Sequence, residues 1–369
     1  MVHKEWLYSL VSILCAALLA YSATPAVRVL AFKINAIDRA KDGRRMHKDP
    51  VPRIGGLAIF FGFFVSTLAF ANITRELVAV WIGGILLVLL GIVDDIHALK
   101  PWVKGIVQIA VAFIPVSQGL QITFLHLFDK TIKLGVFSIP VTVIWIVAIT
   151  NAVNLIDGLD GLACGVSTIC AISLSVVMLL GGSLDYALLT AILAASCAGF
   201  LPFNSNPAKI IMGDTGAHFL GYTLSVLSVG GVFKMDAVLT FLIPFAIFGL
   251  PLFDTVFAIV RRVAHGKSPF AADRGHLHHR LVDMGFGHKQ SVRILYSISG
   301  TLGIAAVLLM NQTFIPAITV SVSALLLYFA FYFIMKNKKL RALTGLENID
   351  ENPDDILAPL SEENKKDAR

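Results

Sequence analysis

Asn151-Ala152-Val153-Asn154-Leu155-Ile156-Asp157-Gly158-Leu159-Asp160-Gly161 packs two amides, two carboxylates and two glycines into eleven residues, between stretches that are almost purely apolar. Ile139 to Ile149 precedes it, and a second apolar run starts at Leu162. A polar cluster this dense is costly within lipid, so it belongs at a membrane surface where it binds something. The flanking runs then read as two membrane-crossing helices joined by a short polar connection.

Composition supports the same reading across the chain. A hydrophobic fraction of 56%, charged residues at 15% and a mean hydropathy of +0.79 exclude a soluble globular protein. The fold class expected is an all-α polytopic integral membrane protein. Net charge is +6, but its distribution matters more than its sign, and nucleic acid is not an expected partner. Cys15, Cys164, Cys170 and Cys197 all fall in apolar runs without metal or disulfide spacing. No small-residue cleavage site follows the first apolar run, so it reads as an uncleaved span.

Apolar runs long enough to cross a bilayer, roughly 20 residues, lie near 6–27, 54–73, 77–94, 101–119, 137–156, 162–181, 185–203, 215–233, 236–260, 292–310 and 314–335. Eleven transmembrane helices put the termini on opposite sides. With the N-terminus outside and the C-terminus cytoplasmic, most of the 30 Lys and Arg residues fall on inner segments, as the positive-inside rule requires. Every unusual polar cluster then also faces the cytoplasm. The domains expected are a membrane domain over 1–335 and a basic, then acidic, cytoplasmic tail over 336–369, disordered by composition. Gln121 to Leu134 reads as a small outer hairpin or surface helix. No internal repeat is evident, which weighs against a carrier built on inverted repeats.

Four further constellations carry chemistry. Asp94-Asp95 ends the third span; adjacent carboxylates repel unless a cation is near, and at a helix C-terminus they oppose the macrodipole. Lys100 and Lys104 follow within reach of the same place. Asn154, Asp157 and Asp160 are spaced by three, which puts them on one face of a helical turn, although an Asx-turn with a capped helix would explain one Asp. Pro202-Phe203-Asn204 ends the seventh span and Gly213-Asp214-Thr215-Gly216 opens the eighth. There Asp214 is either an N-cap or a ligand for a hard divalent cation. The last inner loop carries Asp273-Arg274-Gly275-His276-Leu277-His278-His279-Arg280, whose arginines favour an anionic ligand over zinc. A first inner loop, with Arg44, Arg45, His47, Lys48 and Arg53, adds cations that anionic lipid headgroups also explain. Together these residues suit metal-assisted phosphoryl chemistry at the cytoplasmic face of a membrane.

Asp94-Asp95, Asn151-x-x-Asn154-x-x-Asp157-Gly158-x-Asp160-Gly161, Phe203-Asn204, Gly213-Asp214-Thr215-Gly216 and His276-x-His278-His279-Arg280 occur here in one order. That order resembles the polyprenyl-phosphate N-acetylhexosamine-1-phosphate transferases, a family that includes phospho-N-acetylmuramoyl-pentapeptide transferase. The resemblance runs from about residue 25 to 290. It implies transfer of a sugar-1-phosphate from a UDP-sugar to undecaprenyl phosphate, with release of UMP and use of Mg²⁺, for which Mn²⁺ substitutes. By position it makes Asp214 the main metal ligand and the Asn154 amide oxygen a second. Asp94 is then the base or nucleophile toward the lipid phosphate, with Asp95 beside it and Asp157 and Asp160 counted in the catalytic group. Gly158, Leu159 and Asp160 hold the uracil end with Asn204, and His276, His278, His279 and Arg280 meet the sugar diphosphate. His47, Lys104 and Asn151 complete the substrate contacts. Ile211 stands where some relatives carry an aromatic residue for uracil, and Ala98 where some carry an acid.

His278-His279-Arg280-Leu281 resembles the branch that uses UDP-N-acetylglucosamine. The function expected is the first membrane step of a cell-envelope polymer such as teichoic acid or O-antigen, in a bacterial cytoplasmic membrane. A pentapeptide-type donor and an ion-coupled transporter are the alternatives. The partners expected are UDP-N-acetylglucosamine, undecaprenyl phosphate and membrane lipids, and a homodimer is compatible with the sequence.

Overall fold

Gly, Ser and Thr recur through Gly213–Gly231, yet this helix lies at the centre of the protein: every residue in it except Asp214 is buried. Small residues explain the placement. In a bilayer lipid is as apolar as leucine, so close backbone approach drives helix association. A Cβ on Gly56 would lie 2.0 Å from Gly216 Cα, one on Gly91 2.3 Å from Thr215 Cα, and one on Gly221 2.5 Å from Thr150 Cα. Three neighbouring helices therefore meet the central one backbone to backbone.

The computed structural model describes residues 2–38, 50–127, 130–233, 242–266, 268, 275–311, 313, 315–320 and 322–323. Within them the long helices are α1 (Val2–Lys33), α2 (Gly56–Phe70), α3 (Arg75–Ile96), α4 (Pro101–Ser117), α5 (Ser138–Ile156), α6 (Leu162–Leu180), α7 (Leu184–Asn204) and α8 (Gly213–Gly231). The short α9 (Leu242–Ile247), then α10 (Gly249–Ala264), the short α11 (Leu277–Asp283) and α12 (His288–Met310) follow. Local chemistry sets several ends: Thr74 caps α3 by accepting from Leu77 N–H at 3.2 Å, and Pro101 occupies the first turn of α4. Six of the helices have the length and apolar composition to cross a membrane: Trp6–Lys33, Arg75–Ile96, Gly135–Ile156, Leu162–Leu180, Leu184–Asn204 and His288–Met310. Gly56–Phe70 and Pro101–Ser117 are shorter apolar helices.

The α2, α3 and α5 helices surround α8, while α1 packs on α2 and α7, and α12 on α6. Large apolar side chains point outward, including Trp6, Leu14, Leu18 and Tyr21 on α1 and Phe253, Val256 and Val260 on α10. Polar side chains point inward: Trp145 Nε1–H donates to Ser228 Oγ at 3.0 Å, and Tyr222 O–H to the Ala79 carbonyl at 3.0 Å. Such bonds average about 0.6 kcal/mol in a bilayer.

The segment at 121–134 contains an antiparallel strand pair, with Phe124–Leu127 (β3) against Lys130–Lys133 (β4). A second short pair joins Ile37–Asp38 (β1) to Val51–Pro52 (β2). The expected span at 236–260 differs: its described part is two helices, α9 and α10, broken at Phe248 between Pro244 and Pro251. The expected span at 314–335 and the tail over 336–369 lie largely or wholly outside the described residues, as does His47.

Candidate active site

The polar clusters meet at one end of the bundle, where helices entering and leaving the site alternate. The α3 C-terminus brings Asp94 and Asp95, α4 brings Lys104, the α5 C-terminus brings Asn154, and the α8 N-terminus brings Asp214. Lys104 Nζ donates to Asp94 Oδ2 at 2.7 Å and to Asp214 Oδ2 at 3.0 Å. Asn154 Nδ2 donates to Asp214 Oδ1 at 3.0 Å, and Leu99 N–H to Asp94 Oδ1 at 2.6 Å. The ammonium thus stands between two carboxylates, where a positive charge is required.

Asp95, next in sequence to Asp94, faces a different partner. Its Oδ1 accepts from Asp214 N–H at 3.1 Å, and its Oδ2 from Thr215 N–H at 3.0 Å and Thr215 Oγ1–H at 2.7 Å. It therefore caps α8 from a neighbouring helix, satisfying first-turn N–H groups and matching the positive end of the macrodipole. Arg53 Nε lies 3.5 Å from Asp95 Oδ1 and its Nη1 3.9 Å from Asp38 Oδ1. The strand-like segment before α2 reaches here because Ile211 N–H donates to the Pro52 carbonyl and Gly55 N–H to the Ile211 carbonyl, at 2.7 and 2.9 Å. Gly213 must be glycine: its φ is +73°, and a Cβ would fall 1.7 Å from the Arg53 carbonyl oxygen.

A buried amide chain continues beneath the carboxylates. Asn151 Nδ2 donates to Gln108 Oε1 at 2.7 Å, and Gln108 Nε2 lies 3.5 Å from His218 Nδ1. One atom each of Asp94, Asp214 and His218 lie within 4.8 Å of one another, a group able to hold a metal ion. Two carboxylates suit a hard divalent cation, and an amide flip would turn the Asn154 oxygen toward Asp214. The donor set therefore fits a Mg²⁺-type ion.

The second half of the site is built from loops. Asp157 caps the end of α5 half-buried, and burial, with Asp214 nearby, pushes its carboxyl up to about 8. Asp160 Oδ2 accepts from Asn206 Nδ2 at 3.0 Å and Ala208 N–H at 3.1 Å, and its own N–H donates to His288 Nε2 at 3.3 Å. Asp160 thus ties the α5–α6 connection to the α7–α8 connection and to α12. Tyr296 O–H donates to the Gly161 carbonyl at 2.6 Å and fixes the same turn. Leu159 is buried, and Asn204 donates to the Ile210 carbonyl at 3.1 Å while its Oδ1 is buried without a hydrogen-bond partner among the described residues.

The histidine loop closes over this turn. A Cβ on Gly158 would lie 2.1 Å from His278 Nε2, so the glycine makes room for that ring. His278 is buried, neither ring nitrogen has a hydrogen-bond partner among the described residues, and burial pushes its pKa down to about 3. His276 Nδ1 lies 2.9 Å from Asp254 Oδ2, the His278 and His279 rings are 4.2 Å apart, and Arg280 sits 4.9 Å over the Phe257 ring.

The structure thus gathers Asp94, Lys104, Asn154 and Asp214 in one cluster, with Asn151 beneath it. Gly158, Asp160, Asn204 and the His276–Arg280 loop form the adjoining wall. Sequence reasoning missed Gln108, His218, Asp254, His288 and Tyr296. Gln108 and His218 each lie four residues, one helical turn, beyond a residue it did select, Lys104 and Asp214.

Comparison with known proteins agrees with this geometry. Residues 77–232 match the family described as Glycosyl transferase family 4. The chain is 38% identical over 351 residues to a "Probable undecaprenyl-phosphate N-acetylglucosaminyl 1-phosphate transferase" of Bacillus subtilis (strain 168), covering 94% of this chain and 95% of the relative. It is 37% identical over 79% of its length, and 80% of the relative's, to a "Decaprenyl-phosphate N-acetylglucosaminephosphotransferase" of Mycolicibacterium smegmatis. A "Phospho-N-acetylmuramoyl-pentapeptide-transferase" of Chlorobium chlorochromatii is 33% identical over 63% of this chain and 73% of the relative. With near full-length similarity and the polar motifs converging at one end of a membrane bundle, the chain belongs to the polyprenyl-phosphate N-acetylhexosamine-1-phosphate transferases.

Proposed function

We propose that this protein transfers N-acetylglucosamine-1-phosphate from UDP-N-acetylglucosamine to undecaprenyl phosphate and releases UMP. The observation that carries the reading is the convergence of Asp94, Lys104, Asn154 and Asp214 from four helices at one end of an apolar bundle. A lipid phosphate held at the membrane surface reaches such a site from one side, and a soluble nucleotide sugar from the other.

In the reaction an oxygen of the lipid phosphate attacks the phosphorus attached to the sugar. The bond from that phosphorus to the bridging oxygen breaks, and the oxygen leaves on UMP. Asp94, adjacent to Lys104, takes the proton of a monoprotonated lipid phosphate and orients the attacking oxygen. Lys104 offsets the charge of the two carboxylates and of the incoming phosphates. Asp214 and the Asn154 amide oxygen would hold a Mg²⁺ ion, replaceable by Mn²⁺, that supplies charge neutralisation along the diphosphate. Asp95 keeps the α8 N-terminus, and with it Asp214, in position. Gly158, Leu159, Asp160 and Asn204 hold the uridine end, while His276, His279 and Arg280 contact the sugar diphosphate, with His47 from the first inner loop. Direct attack is favoured over a covalent aspartyl intermediate, because that route would bring a third anion between two others. A labelled sugar-phosphate trapped on the wild type, but not on Asp94→Asn, would overturn it.

The setting is a bacterial cytoplasmic membrane, crossed eleven times with the N-terminus outside and the site facing the cytoplasm. The distribution of Lys and Arg supports that orientation. The product serves as the first lipid-linked intermediate of an envelope polymer. The test is UMP release by purified protein with undecaprenyl phosphate and Mg²⁺, comparing UDP-N-acetylglucosamine with UDP-N-acetylmuramoyl-pentapeptide and UDP-N-acetylgalactosamine. Turnover is expected with the first donor and loss of turnover in EDTA, restored by Mg²⁺ or Mn²⁺. No UMP from any donor with folded protein sinks the proposal.

A further inference from the structure

The α10 helix carries a stripe that the reaction scheme does not use. Asp254, Phe257 and Arg261 are spaced by three and four residues, so they share one face of α10. All three hold the histidine loop. Asp254 Oδ2 lies 2.9 Å from His276 Nδ1, and its Oδ1 accepts from Leu277 N–H at 2.7 Å. Phe257 lies beneath the Arg280 guanidinium, 4.9 Å from ring centre to Cζ. Arg261 Nη1–H donates to the Gly275 carbonyl at 2.6 Å, with its guanidinium where a Gly275 side chain would have to sit.

Asp254 is the strongest of these ties. It is 3% exposed and His276 5%, so neither side chain exchanges its partner freely with water. An ionised carboxylate only accepts hydrogen bonds, so His276 Nδ1 must carry the hydrogen. Nε2 has no hydrogen-bond partner among the described residues and is left as the nitrogen available to a substrate. The second oxygen of the same carboxylate anchors the first residue of α11, so one group sets both the ring tautomer and the entry of the loop helix. This is how carboxylates orient working histidines in other sites.

We propose that Asp254 is a positioning residue of the transfer reaction: it holds His276 as the Nδ1–H tautomer and sets the α11 loop, with Arg280, against the donor's sugar diphosphate. The inference rests on the transferase reading for its kinetic consequence, but not for its structural one. Asp254→Asn removes one acceptor and introduces a donor. The single amide oxygen then serves Leu277 N–H or His276 Nδ1–H, but not both.

The test joins a spectroscopic and a kinetic measurement on the full chain in detergent. Histidine ¹⁵N resonances, with the His276 signal assigned by its loss in His276→Gln, are expected to report a protonated Nδ1 in the wild type. In Asp254→Asn the hydrogen is expected to move to Nε2 or average between the two. With UDP-N-acetylglucosamine, kcat/KM is expected to fall roughly tenfold to a hundredfold, the scale on which second partners of working histidines act. The KM for undecaprenyl phosphate should stay unchanged, and Asp254→Glu should recover part of the loss. A bare Nδ1 in the wild type overturns the proposal even if the variant fails to fold. So does an unchanged His276 signal in Asp254→Asn, or an undecaprenyl phosphate KM that moves as far as the donor's. Absence of UMP release by the wild type would instead refute the transferase reading, and the tautomer measurement would still decide the role of Asp254.

Discussion

The two halves of the site differ in how their polar groups are satisfied. In the carboxylate half, Asp94, Asp95, Lys104 and Asp214 all have close partners within the protein, and Asp95 alone accepts three hydrogen bonds. In the histidine half, both nitrogens of His278 and the Oδ1 of Asn204 are buried without a hydrogen-bond partner among the described residues. In the carboxylate half the orphaned atoms, His218 Nε2 and Arg53 Nε, flank the carboxylates and Lys104 rather than belong to them. A buried polar atom left unpaired costs about 1–3 kcal/mol, so the second half holds groups whose bonding is completed only when something else arrives. The first half is preorganised for charge, and the second is poised for a ligand.

Variants can break or sharpen that contrast. The largest effect is expected at Asp214→Ala, which removes the carboxylate shared by Lys104 and Asn154. Turnover should fall by about 10²- to 10³-fold, as for other preorganised electrostatic groups, while the folded protein keeps its elution profile. Retained Mg²⁺-dependent turnover would remove Asp214 from the metal site. Next comes Asp95→Ala, which strips three donors at the α8 N-terminus of their acceptor and should destabilise by about 3 kcal/mol or more. Its signature is a lower thermal unfolding temperature in detergent, so loss of activity at full stability would contradict a capping role.

Gly158→Ala probes the other half. The added methyl meets the His278 ring, so kcat/KM for the nucleotide sugar should drop about tenfold, the cost of a small displacement in a positioned site. Stability should change little, because the ring belongs to a loop helix outside the central bundle. The smallest effect concerns pH. The folded pKa of His278 is held near 3, below its ordinary value of 6.5, so the native state keeps the ring neutral. Its contribution to stability is fully present above pH 6.5 and is lost as pH falls toward 3. His278→Gln should flatten that acid limb of the unfolding temperature without altering it above pH 7.

Much of this arrangement was legible in the sequence. The separated motifs meet at one end of the bundle, but the Asn151–Gly161 island straddles a helix end. Asn151 to Ile156 complete α5 and only Asp157 to Gly161 connect it to α6, so Asp157 and Asp160 do not continue the helical face of Asn154. What the sequence left open follows from geometry. Asp94 and Asp95 are neighbours in the chain, but successive helix residues point about 100° apart. One therefore faces Lys104 and the other the α8 backbone, and nothing local tells them apart. Single polar residues within apolar runs, such as Gln108, His218 and Asp254, gain meaning only from partners more than twenty residues away. The broken span at Pro244 to Pro251 did carry a visible signal, since both prolines disfavour one continuous helix.

The burial of α8 on every side has a consequence for motion. A helix seated through Gly56, Gly91 and Gly221 contacts has no slack to translate or rotate, because its neighbours' backbones already touch it. Asp214 therefore rides on the fixed frame of the machine. The histidine loop is seated differently, through the side chains of Asp254, Phe257 and Arg261 on α10. Amide exchange is therefore expected to be slow in α8 and faster in α11.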